Sequence, residues 1–249
     1  LLASQANGKS RAYKLLKSED VLSTLDCLKK LGVQIKLKKD YCEINGKGLN
    51  SYNYKNNLIL NAGNSGTLGR LLLGLLVHSK KKIKLIGDKS LSKRDFSRVT
   101  GPLEKFGARF SYKTKNKLPL SILGTETPTP INYTENRGSA QCKSSVMLAA
   151  LNTSGETFIK AKKSRNHTEL LFKYLNIPIK IKKTKKFDYI KTKGKKEFRS
   201  FNYKIPSDIS SSAFFIVLTA LSKNSKLIIQ NVNINSSRTG ILKILKMMG

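Results

Sequence analysis

Glycines at Gly63, Gly66 and Gly69, small polar side chains at Asn64, Ser65 and Thr67, and Arg70 all fall within the run NAGNSGTLGRLLLGLL, Asn61 to Leu76. These are the parts of an anion pocket. Glycine lets a main chain approach a ligand closely and take positive φ, and a helix start offers unsatisfied N–H groups that a small polar residue can cap or an anion can occupy. The planar fork of an arginine one turn later pairs two oxygens of a phosphate or carboxylate. The same residues also suit an ordinary capped core helix, and their spacing alone leaves both readings open.

Composition narrows the remaining chemistry. Two histidines, His78 and His167, exclude a His-rich metal site, and Cys27, Cys42 and Cys142 have no metal-ligand spacing. An odd set of cysteines argues for free thiols and a reducing compartment, so a cytoplasmic protein is expected. A formal charge of +33, from 48 Lys and Arg against 15 Asp and Glu, raises a nucleic-acid or other polyanion partner as an alternative. Against it, the lysines are spread along the chain with much Asn and Ile, and recognisable nucleic-acid modules are missing. The densest run, Lys180 to Lys204, alternates apolar with basic residues as a solvated hairpin does. The apolar runs are too short or interrupted to span a bilayer, and LLASQANGKS shows no cationic leader before an apolar core. Neither a nucleic acid nor a membrane is therefore expected as partner.

The elements that must position these residues repeat. An apolar helix ending in Gly or Asn, usually followed by a strand, recurs in VLSTLDCLKKLGVQIKL, VTGPLEKFGARFSY, LLFKYLNIPIKIK and ILKILKMMG. The turning residues Gly32, Gly107, Asn176 and Gly249 are spaced by roughly 70 residues, the size of a compact α/β subdomain rather than a solenoid unit. A second pattern interleaves with it: a small-residue start leading an apolar helix, in GNSGTLGRLLLGLLV, SAQCKSSVMLAALN and SDISSSAFFIVLTALS, with LLASQAN as the tail of another copy. Strands are expected after these helices at KKIKLIG, ETFIKA and SKLIIQNV. Such units bury their apolar helices together and bring the small-residue helix starts to one end, a region that favours anions. The chain begins without methionine inside an expected helix and stops after a helix, which reads as a fragment. A composition shift near Tyr203 to Ser207 divides it into residues 1–203, a substrate-binding domain, and 204–249, the start of a second domain.

In order along the chain, SEDVLSTLDCLKKLG, NAGNSGTLGRLL, GDKSLSKRDFSRVTGPLEKFGA, SAQCKSSVMLAAL, SRNHTELL, PSDISSSAFF and NSSRTG resemble the enolpyruvyl transferase family that makes 5-enolpyruvylshikimate 3-phosphate, the EPSP synthases. The resemblance covers nearly the whole chain. It implies an α/β fold of repeated βαβαββ units in an inside-out α/β barrel architecture, with substrates in a cleft between two domains. The implied reaction joins the 5-hydroxyl of shikimate 3-phosphate to C2 of phosphoenolpyruvate and expels phosphate, with no metal and no cofactor, in a monomer. It also implies a phosphoenolpyruvate pocket of Asn64, Gly66, Arg70, Arg94 and Gln141, and shikimate 3-phosphate contacts from Ser139, Ala140, Gln141, Ser164 and Arg165. Two anionic substrates call for such cationic and main-chain donors.

By the same resemblance, a Lys-Ser pair and an arginine would precede Leu1, and the acid and base would follow Gly249. No catalytic acid or base is expected within the 249 residues, which should bind shikimate 3-phosphate weakly and turn nothing over. Asp95 and Phe96 stand where the family carries Pro-Met, and Asp95 is expected to compete for the charge of Arg94. Lys143 either neutralises the site or is solvated, His167 is structural, His78 is peripheral, and Asp208 with Ser210 to Ser212 caps a helix. A related family acting on UDP-N-acetylglucosamine is the enzymatic alternative. That family uses a cysteine in a mobile loop, a setting none of the three cysteines here occupies.

Overall fold

The computed structural model describes residues 1–194 and 196–248; Lys195, inside the basic run, and Gly249, read above as a turning residue, lie outside the described residues. After a 3-10 turn at Leu2–Gln5, the chain forms β1 (Asn7–Tyr13), α1 (Glu19–Lys30), β2 (Gln34–Leu37) and β3 (Tyr41–Lys47). Glu19 and Asp20 in the first turn of α1 and Lys29 and Lys30 in its last oppose the helix dipole, and Gly32 at φ +87° turns the chain out of it. Next come β4 (Leu58–Asn61), α2 (Gly66–Leu75), β5 (Ile83–Ile86), the short α3 (Lys89–Ser92), α4 (Ser97–Lys105), β6 (Arg109–Tyr112) and β7 (Leu120–Leu123). A further round gives β8 (Asn132–Glu135), α5 (Ala140–Leu151), β9 (Glu156–Lys162), α6 (His167–Tyr174), β10 (Ile179–Lys183) and β11 (Phe187–Lys193). The chain closes with β12 (Asn202–Lys204), α7 (Ile209–Leu221) and α8 (Gly240–Met247).

Three four-stranded sheets share one topology, in the orders β4-β5-β7-β6, β8-β9-β11-β10 and β12-β1-β3-β2. In each, the first two strands are parallel and the other two pairings antiparallel. The third copy is assembled from both ends of this region: β12 runs parallel to β1, with Tyr13 opposite Lys204. The repeat expected from sequence is thus present, and Gly107 and Asn176 take positive φ at their helix ends, as Gly32 does. The basic run forms the expected hairpin, β10 against β11.

The core is built around α2 and α5. α5 is buried on every side from Cys142 to Leu151, and α2 buries Leu68, Leu72, Leu73 and Leu75 beside it. Gly74 allows this contact: a Cβ there would stand 2.2 Å from the carbonyl oxygen of Ser145. Closeness matters because it aligns the starts of the two helices. One expected element is absent. The strand at SKLIIQNV is irregular, its only regular pairing among the described residues being the bridge between Ser207 and Val232. A strand exists through its ladder, and residues 225–231 meet no partner strand here. Nearby, α7 and α8 expose Phe214, Leu218, Leu221 and Met247.

Candidate anion-binding site

Ser65 caps α2, its hydroxyl accepting from the N–H of Leu68 at 3.2 Å. The preceding turn is held from both sides: Asn61 Oδ1 accepts from the Gly63 N–H at 2.9 Å, and the Cys27 thiol donates to the Asn61 carbonyl at 3.3 Å. Burial pushes that thiol up to about 11, so it stays protonated as donor. Above this turn two guanidinium groups converge. A Cβ on Gly66 would lie 2.7 Å from Arg70 Nη1 and 2.9 Å from Arg94 Nη1, so the missing side chain is what lets both cations reach one place.

Arg70 is held by three neighbours. Its Nη1 donates to the Gly66 carbonyl at 3.2 Å and to Gln141 Oε1 at 2.9 Å, and its guanidinium lies over the ring of Phe96, 5.3 Å from the centroid. Burial pulls the Arg70 guanidinium below its ordinary value, and repulsion from Arg94 and Arg98 adds to the effect. An anion placed between Arg70 and Arg94 relieves that repulsion. Gln141 also donates from Nε2 to Thr67 Oγ1 at 2.8 Å, so one side chain ties α5 to the anion turn of α2.

Asn64, expected to line the pocket, also ties the turn to the next helix. Its amide donates to Asp88 Oδ2 at 2.5 Å, and Asp88 Oδ1 accepts from the Leu91 N–H at 2.6 Å, capping the short α3 that leads to Arg94. It positions the support of Arg94. Asp95, expected to draw on Arg94, instead accepts from the Ser97 N–H at 2.7 Å. Hydrogen bonds from Ser97, with Arg137 and Arg98 nearby, hold its carboxyl below the usual range. Phe96 is fully buried and floors Arg70, a role sequence spacing had no means of showing.

The other predicted set comes together in a neighbouring cavity of about 910 Å³, lined by Ser139, Ala140, Gln141, Ser164 and Arg165. Ser139 caps α5, accepting from the Cys142 N–H at 3.2 Å. Its own N–H donates to Glu135 Oε2 at 2.8 Å, while Glu135 Oε1 accepts from Arg98 at 3.1 Å. Glu135 is buried at the end of β8 and had no signature in the sequence. The Ser164 hydroxyl is buried without a hydrogen-bond partner among the described residues.

Residues beyond the expected set complete this cavity: Lys163, Lys183, Arg238 and Lys243 bring positive charge, and Asp188 a single carboxylate. Arg238 belongs to the NSSRTG segment, whose pattern pointed to it without a role. That segment docks on the start of α6, where Asn235 Nδ2 donates to Asn166 Oδ1 at 2.8 Å and Asn233 Nδ2 meets His167 Nε2 at 3.3 Å. Burial, with Arg165 and Arg238, lowers His167 from its ordinary value, which fits a neutral structural ring. Asp208 caps α7 through the Ser210 N–H at 3.0 Å, as expected, and also pairs with Arg238 at 3.8 Å. Lys143, read as neutralising or solvated, is neither exposed nor in the cavity lining: it is fully buried against Glu169. Among the described residues no three His, Cys, Asp or Glu side chains gather where a metal could sit, and no helix is long and apolar enough to cross a membrane.

Comparison with known proteins places this geometry. The sequence profile of EPSP synthase (3-phosphoshikimate 1-carboxyvinyltransferase) matches residues 1–249. The 3-phosphoshikimate 1-carboxyvinyltransferase of Petrotoga mobilis is 41% identical over 253 residues, covering 100% of this chain and 57% of its own length. That of Streptococcus mutans is 39% identical over 251 residues, covering 100% and 58%. A solved structure of EPSP synthase from Acinetobacter baumannii superposes with a TM-score of 0.88 at 34% identity, over 99% of this chain and 55% of that one. The chain thus spans a little over half the length of these relatives. With this match over its whole length, its sheet topology repeated three times and two cationic regions joined at Gln141, the chain belongs to the EPSP synthase family.

Proposed function

We propose that this chain supplies the substrate-binding surfaces for transfer of an enolpyruvyl group from phosphoenolpyruvate to the 5-hydroxyl of shikimate 3-phosphate, releasing phosphate on the route to aromatic amino acids. The observation that carries the reading is the pair of adjoining anion sites. Arg70 and Arg94 over Gly66 suit a small phosphorylated carboxylate, and the cavity of Ser139, Ala140, Gln141, Ser164 and Arg165 suits a larger phosphate monoester. Gln141 belongs to both, where two reacting groups must meet. Fixed guanidinium and main-chain donors stabilise charge that moves between carbon and phosphate without having to reorganise.

We keep the domain boundary between 203 and 204, at the end of β12 (Asn202–Lys204), the strand that completes the third sheet, and assign 204–249 to a second domain that contributes Arg238 to the cavity rim. Against the expectation that no acid or base lies within these residues, Asp208, exposed beside Arg238, is the candidate there for exchanging the hydroxyl proton. Neither a metal nor an organic cofactor is required by this scheme. Three free, buried cysteines support a reducing, cytoplasmic setting, and we take the protein as monomeric with no nucleic-acid or membrane partner. Since the relatives are nearly twice as long, we expect the 249 residues alone to bind shikimate 3-phosphate weakly and release no phosphate. Calorimetry with that ligand, and a phosphate-release assay on this chain and on a full-length relative carrying its residues, test the scheme. In the latter, Asp208→Asn should lower kcat more than it raises KM. Absence of any shikimate 3-phosphate binding by the chain sinks the assignment.

A further inference from the structure

We propose that Lys143 and Glu169 are positioning residues: their buried ion pair sets the separation of the two helix starts that line the large cavity, and with it the cavity's grip on a phosphate monoester. For its ligand, though not for its geometry, the idea rests on the function proposed above. Lys143 Nζ lies 2.6 Å from Glu169 Oε1, with the two side chains 0% and 3% exposed. Each belongs to the opening turn of its helix. The Lys143 N–H donates to the Ser139 carbonyl at 3.2 Å, so Lys143 is held to the turn that presents Ser139, Ala140 and Gln141. Glu169 sits in the first turn of α6, the helix that follows the Ser164 and Arg165 segment, and its charge there opposes the helix dipole.

A sequence neighbour of each repeats the tie, Ser144 Oγ lying 2.7 Å from Thr168 Oγ1. Two side-chain links therefore lock α5 to α6 at the end that faces the cavity. Stability alone is a poor account of the pair. A buried ion pair offers little over apolar residues of similar volume, because desolvation offsets the attraction. This one is also incompletely satisfied, neither Lys143 Nζ nor Glu169 Oε2 having a partner in hydrogen-bond geometry among the described residues. What a short charged contact supplies and an apolar one does not is a defined distance. The pair also cancels its own charge, leaving attraction of an anion to Lys163, Arg165 and Arg238, which face the cavity.

The test separates stability from geometry. Lys143→Met, Glu169→Leu and the double variant, each in the full chain, are compared by urea unfolding, by hydrogen exchange over residues 139–144 and 164–169, and by calorimetry with shikimate 3-phosphate. Each single variant strands a buried group and should be strongly destabilised, while the double variant should regain most of the loss. Even so, exchange in both segments should stay about tenfold faster than in the parent, and the ligand's Kd should be raised about tenfold. A double variant with parental stability and parental exchange overturns the proposal. If exchange changes as expected but the parent binds no shikimate 3-phosphate, the positioning stands and the substrate assignment fails. Should the double variant not fold, Glu169→Gln, which keeps shape and volume, carries the same exchange readout, and unchanged exchange there counts against the pair.

Discussion

Gly66 shows how one absent side chain can decide a site. It is buried at the start of α2, and the space a Cβ would fill is held by the ends of Arg70 and Arg94. Both are flexible guanidinium groups, so Gly66→Ala should fold well and gain up to about 1 kcal/mol through lower backbone entropy in the unfolded chain. The two cations would be displaced, and affinity for phosphoenolpyruvate should fall about tenfold or more, near 1.4 kcal/mol. Calorimetry beside a thermal melt checks this; undiminished affinity at unchanged stability would remove Gly66 from the site. The glycine spacing and Arg70 were legible in the sequence, since both lie on one turn and one helix. The arrival of Arg94 was implied by the family resemblance but not by local pattern, because it depends on Asn64 holding Asp88 and Asp88 capping α3. Nor was the turning of Asp95 toward Ser97, since neighbours in sequence need not be neighbours in charge.

Among the elements, α2 and α5 carry both the core and the site. Their apolar faces and small-residue starts were readable as helices, and the repeat suggested that those starts converge. How closely they approach is set by Gly74 against the backbone of Ser145, reinforced by the Ser145 hydroxyl donating to the Arg70 carbonyl at 2.8 Å. Here the obstacle is backbone, which cannot step aside as a guanidinium can. Gly74→Ala should therefore destabilise by about 1–3 kcal/mol despite the better helix propensity of alanine. It should also weaken phosphoenolpyruvate binding, by separating Arg70 from Gln141. Urea unfolding measures the first effect, and a neutral or stabilising result would mean the helices tolerate a wider spacing than the structure shows. The missing strand at SKLIIQNV carries the complementary lesson. Its β-branched composition was a fair strand signal, but a strand's stability resides in partners that local sequence does not supply.

Over the whole molecule, the third sheet joins β1 to β12 across almost the full length of the larger unit, and Phe198 anchors the return. It is 7% exposed within the main core, and its carbonyl accepts from the Asn7 N–H at 2.9 Å. Phe198→Ala should cost about 3–5 kcal/mol, as for an aromatic in a closed core. A loss below 1 kcal/mol in thermal or urea unfolding would show that the sheet does not depend on this closure. The large positive charge lies mainly on outer faces, where Lys160 and Lys191 cover the rings of Phe187, Tyr189 and Phe158. By itself the sequence determined the repeat, the helix ends at Gly32, Gly107 and Asn176, the anion-binding residue types and the family likeness. Each of these is written in local pattern: apolar period, cap chemistry and ordered motifs. Only the tertiary structure decided that β12 completes the sheet begun by β1, how α3 carries Arg94 to Arg70 over Gly66, and that Lys143 turns inward to Glu169. Those contacts join residues far apart in the chain, and their free energy comes from close packing and desolvation that no short stretch of sequence contains.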